Sequence, residues 1–149
     1  MRRPLVAAIP AAVLLLTGCF AVGPQPEDAI PPALLASDLD ILEASAGKGV
    51  DGFSVDVWAS FVVERDAVTA DDLREVLRIV VENTHITNVN AISIIGLGDE
   101  VDPDSIDEQN ERLDLVPAAE ELGLPDPDDG LGSIRADWED VVAMLEETR

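Results

Sequence analysis

One cysteine, one histidine, one lysine and no tyrosine stand among 149 residues, and nine basic residues face 31 acidic ones. Each scarcity excludes something. A lone Cys19 forms no disulfide within the chain, so the fold must be held by packing. A structural zinc site takes several Cys or His ligands, and Cys19 and His85 do not supply them. His85 follows a helical stretch ending at Asn83-Thr84, where an imidazole simply bonds a terminal carbonyl. A serine-histidine-acid triad would have to be built on it, and no Gly-x-Ser-x-Gly elbow occurs. Nucleic acid is excluded as a partner because binding phosphates requires a basic stripe to release counterions.

Two further chemistries fail on inspection. Gly96-Leu97-Gly98 follows a strand-like run, as a dinucleotide-binding loop does, but position 101 is Val, and Asp99, Glu100 and Asp102 would repel a pyrophosphate. Paired carboxylates for glycoside hydrolysis are available anywhere in so acidic a chain, yet no pair is singled out and tyrosine platforms are missing. No cofactor is expected. A binding or interaction module is favoured over an enzyme, with a small carboxylate-based hydrolase as the rival.

At the N-terminus the sequence is more informative. Arg2 and Arg3 precede a nearly unbroken apolar run from Leu5 to Leu16, interrupted only by Pro10. A membrane-spanning helix needs about 20 apolar residues, so this shorter run reads as a signal peptide, a processing segment rather than a span. It ends in Leu16-Thr17-Gly18-Cys19, which resembles the lipobox of bacterial lipoproteins. The resemblance covers residues 1–19. It implies cleavage between Gly18 and Cys19 and a diacylglyceryl thioether on Cys19, leaving the chain on the extracytoplasmic face of a cell membrane. Two acyl chains anchor durably where one holds only marginally.

The expected organisation is a signal peptide over 1–18, a lipidated cysteine and Pro-rich spacer over 19–36, and one acidic domain over 37–149. Pro24, Pro26, Pro31 and Pro32 favour extended backbone in the spacer. Without Arg2 and Arg3, seven basic residues oppose 31 acidic ones, a net charge of −24. Residues 99–149 hold much of it. Such runs usually do no more than keep a surface solvated; the sharper reading is a surface for a basic envelope protein or a cation, with Asp99, Glu100, Asp102, Asp104 and Trp58 as its candidates. Calcium takes carboxylate oxygens, and the loop at 126–132 offers Asp126, Asp128 and, further on, Asp137. Leu131 stands where an EF-hand loop requires glycine, so the match is poor and no metal is assigned.

The folded part is read from its periodicities. Gly52 to Glu64 alternates Phe53, Val55, Val57, Ala59, Phe61 and Val63 with mostly polar neighbours, a strand near 52–64. Trp58 falls on its polar face, where an aromatic needs cover from a loop or a neighbouring strand. Thr69-Ala70-Asp71-Asp72 caps a helix over 70–83 whose stripe is Leu73, Val76, Leu77, Val80 and Val81. A strand near 89–96 follows, so strand, helix and strand predict a parallel pair joined by a right-handed crossover. Before this nucleus, Leu39, Ile41 and Leu42 suggest a short helix over 37–46, ended by Gly47-Lys48-Gly49. After it come a short strand at Leu113–Leu115, a helical turn between Pro117 and Gly123, and an amphipathic helix over 134–147 capped by Ser133. The fold class is α+β, a small sandwich of helices on a short sheet.

Overall fold

Alternation in Ser54–Val63 dictates the centre of the molecule: Val57, Ala59, Phe61 and Val63 are buried on one side, while Asp56, Trp58, Ser60 and Val62 face the other. The computed structural model describes residues 23–99, 112–127 and 132–147. In these, helix α1 (Pro26–Leu35) leads into strands β1 (Ile41–Asp51) and β2 (Ser54–Val63), and helix α2 (Ala70–Glu82) connects to β3 (Val89–Gly98). Helix α3 (Val116–Glu121), strand β4 (Ile134–Asp137) and helix α4 (Trp138–Glu147) complete the order. The sheet runs β1-β2-β3-β4, with β2 and β3 parallel and both outer pairings antiparallel. This is a small α+β fold.

Helix α2 begins where its sequence says it should. The Thr69 hydroxyl accepts from the Asp72 amide at 3.2 Å and the Asp72 carboxylate accepts from the Thr69 amide at 3.1 Å, which satisfies two donors the first turn otherwise leaves open. Arg65 ties this start to the rest of the domain, donating to Asp72 at 3.0 Å and to the Leu39 carbonyl at 2.9 Å. Leu73, Val76, Leu77 and Val80 are then buried against Val57, Phe61, Ile92 and Ile94 of the sheet in one core. The α1, α3 and α4 helices all pack beside α2, so the helices form one layer on one face of the sheet.

Four expectations are corrected. Residues 26–35 are helix, not extended spacer: Pro26 opens α1, where its missing amide costs nothing, and Ile30 and Leu34, one turn apart, are fully buried. Interior Pro31 and Pro32 oppose this, and the burial of two large aliphatics, about 1.5–3 kcal/mol each, is what offsets them. The short helix expected over 37–46 is replaced from Ile41 by a strand that runs on to Asp51, because β2 offers a full antiparallel partner and Gly52-Phe53 closes the pair in two residues. Gly52 takes φ +62 at the first loop position, the glycine-first arrangement of a type II′ hairpin. Residues 134–137 are β4, paired with Ala91–Ile94, and the helix expected from 134 starts at Trp138; Ser133 precedes a strand instead of capping a helix. The short strand expected at 113–115 reduces to a bridge between Arg112 and Leu97, with the Leu113 amide on the Gly96 carbonyl at 2.9 Å. No helix among the described residues is long and apolar enough to cross a membrane.

A candidate interaction face around Trp58

Because the described helices occupy one side of the sheet, the other side is bare among the described residues. The register lays it out in rows. Gly47, Trp58, Ser93 and Arg135 are cross-strand neighbours through the middle; Ser45, Ser60 and Ile95 form the next row; Glu43, Val62 and Leu97 the one beyond. Side chains two residues apart share a face, so these rows make one continuous surface.

Trp58 stands at its centre, 39% exposed. The indole lies across β1 directly over Gly47: a Cβ placed on Gly47 would fall 2.7 Å from Cζ2 and 2.9 Å from Nε1 of the ring. Glycine is therefore required here by close approach, and the ring is what buries it. On one side Ser45 and Ser60 share a hydroxyl hydrogen bond of 2.7 Å. On the other, Arg135 donates to Asp56 at 2.7 Å. Val62, Ile95 and Leu97, half-buried, extend the apolar ground toward the carboxyl end of β3. The result is a flat aromatic centre with hydroxyls and one ion pair at its border, a composition suited to recognition.

A groove of about 500 Å³ lies elsewhere, between α2 and α4, with Val81, Val142 and Leu145 in its lining. Three of the four acids that line it are held by arginines. Asp71 is paired with Arg74, and Glu75 and Glu82 with Arg78. Hydrogen bonding from Arg78, reinforced by its charge and opposed by slight burial, holds the Glu75 carboxyl below its usual range, the opposite of what a general acid requires.

Among the residues expected to act, Asp99 is exposed just past β3, six residues beyond Ser93 and so about 20 Å along the sheet from the Trp58 row. The structure does not bring Asp99 and Trp58 together. Glu100, Asp102 and Asp104 lie outside the described residues, as do Gly18, Cys19 and Asp128. Asp126 sits in a turn at φ +47 and Asp137 at the end of β4, and no group of three potential metal ligands assembles among the described residues. His85 is exposed; the carbonyls at the end of α2 are taken instead by Asn83 onto Ile79 at 2.8 Å and Thr84 onto Val80 at 2.7 Å.

Sequence reasoning missed Gly47, Ser93 and Arg135. Asp56 and Ser60 were open to it, since period two puts them on the Trp58 face; the others became neighbours only through strand register. No protein-family model matches the chain, and the searches of curated proteins and of solved structures return no match.

Proposed function

We propose that the chain is a lipoprotein, held on the extracytoplasmic face of a cell membrane by a diacylglyceryl group on Cys19, whose α+β domain is a non-enzymatic binding module. The anchor is supported by Arg2 and Arg3, the apolar run to Leu16 and the Leu16-Thr17-Gly18-Cys19 box. The binding role is carried by one observation, a sheet face left bare among the described residues with Trp58 seated on Gly47 at its centre. Such an aromatic, already fixed in position, loses little freedom on docking. The hydrolase reading needs two facing acids in a cleft, and Asp71, Glu75 and Glu82 of the α2–α4 groove are each held by an arginine.

The partner is an envelope protein presenting an apolar or basic surface. Intact mass of the protein purified from its native membrane, set beside a Cys19→Ala form, tests the anchor: a chain starting at Cys19 with diacylglyceryl mass is expected, and an unmodified chain in the medium refutes it. Crosslinking in the envelope from a photoreactive group at Ser60 tests the face. A captured protein lost on Trp58→Ser supports it, and capture indifferent to that change does not. Steep loss of binding between 0.1 M and 1 M salt, where the screening length shrinks from about 10 Å to about 3 Å, would assign the contact to charge rather than to the indole.

A further inference from the structure

Phe53 is fully exposed, at 100%, and Val50 beside it at 69%. Both belong to the tip of the β1–β2 hairpin, where nothing in the core requires an aromatic. Soluble surfaces carry scattered apolar residues, but a phenyl group with its whole surface in water at the end of a projecting hairpin contributes nothing to the fold.

The chain enters the domain at the same end. A Cβ on Gly23 would lie 3.0 Å from the His85 Cβ, and Lys48 of β1 donates to Gln25 just before α1. His85 belongs to the loop after α2, and Asn88 in that loop accepts from the Val55 amide at 3.0 Å, next to the hairpin turn. The N-terminal entry, this loop and the hairpin tip therefore share one pole. Four peptide units separate Cys19 from Gly23, a reach of at most about 14 Å. From Lys48, level with Gln25, the hairpin runs on about 10 Å to its turn. A tether of that reach is long enough for the hairpin tip to meet the membrane surface that holds Cys19.

We infer that the Phe53 tip, with Val50, inserts into the outer leaflet to which Cys19 is acylated, fixing the orientation of the domain on the bilayer; this rests on the anchoring reading above. The occupant is the lipid surface itself, since the tether keeps the tip within reach of it at all times. Glu27, Asp28 and Asp51 lie at this pole too, so the contact is with zwitterionic headgroups and weakens as anionic lipid is added. Burial of the phenyl shifts the population toward the docked orientation by about tenfold or more. The consequence is that the bare Trp58 face stands at the side of the domain, open to a partner on the same membrane.

The test uses the lipidated full-length protein in phosphatidylcholine vesicles, with a fluorophore on Val50→Cys or, at the opposite end of α1, on Leu35→Cys. Cys19 is the sole native cysteine, so one label per chain reports it acylated and two report it free. Expected are one label per chain, quenching of the Val50 position by nitroxide-bearing lipid several-fold above the Leu35 position, and loss of that difference in Phe53→Ser. With one label per chain, equal quenching at both positions overturns the orientation while leaving the anchor intact, as does quenching indifferent to Phe53→Ser. Two labels per chain overturn the anchor and the orientation together. Crosslinking of Phe53 to an envelope protein, with the Val50 label unquenched, assigns the tip to a protein partner and overturns the lipid contact.

Discussion

Replacing Gly47 by alanine should destabilise the protein only because Trp58 is there. Gly47 is not among the glycines with positive φ, so alanine suits its backbone, and relief of a strand-interior glycine is worth about 0.5–1 kcal/mol in stabilisation. Against this, the new methyl would stand 2.7–2.9 Å from three atoms of the indole, a rigid bicycle that must swing off β1 to make room. Trp58 has about three-fifths of its surface covered. With about 150 Å² buried at about 25 cal/mol per Å², the ceiling for the whole side chain is about 4 kcal/mol. Losing half of that contact costs about 2 kcal/mol, and the net expectation is a destabilisation of about 1 kcal/mol. Urea unfolding followed by circular dichroism measures it, and a red-shifted emission in a Trp138→Phe background reports the displaced ring. The decisive arm is a double-mutant cycle: in Trp58→Ala the same glycine substitution should become neutral or stabilising. Equal destabilisation in both backgrounds would refute the stacking argument.

Two other outcomes follow from the helix layer. Thr69→Ala removes the side-chain half of the capping box on α2 and should lower stability by about 1 kcal/mol, read from the urea midpoint, with Thr69→Ser restoring most of it. Glu75, whose carboxyl titrates below its ordinary 4.5 in the folded state, adds stability above that pH which is lost as pH falls through the folded value. Since this pair is solvent-screened, the term is at most about 0.5 kcal/mol, and Glu75→Gln should lower the neutral plateau by that amount and flatten the acid limb of a stability profile below pH about 4.5.

What was legible depended on whether an element carries its own periodicity. β2 alternates over ten residues, α2 repeats an aliphatic stripe behind a capping sequence, and β3 is a β-branched run, and all three stand within two residues of the bounds read from sequence. β1 has no such signature. Its helix-facing positions are Ala44 and Ala46 and its outward ones Ser45, Gly47 and Gly49, residues chosen to fit beneath α1 and Trp58 rather than to favour a strand. Its pairing comes from β2, and the one local clue was the glycine at 52. The α1 helix was hidden by prolines whose cost is met by tertiary burial of Ile30 and Leu34. At the C-terminus the apolar positions Ile134, Trp138 and Val141 fit a helical spacing, but Ile134 and Ala136 are also two apart, and a vacant edge on β3 decides in favour of the strand. The same dependence on register explains the site: Trp58 was visible as an anomaly, while Gly47 beneath it is 11 residues away and joined to it only by hairpin pairing.

Strand order in this sheet coincides with chain order. Every strand docks on the one synthesised just before it, and none must wait for a later segment to fill a gap between earlier ones. Building can therefore proceed vectorially: the hairpin closes first, α2 then carries β3 onto its free edge, and β4 arrives last. In a chain appearing one end first, the growing edge at each stage is the one the next strand covers, which keeps the interval in which that edge is unpaired short and limits the opportunity for intermolecular pairing.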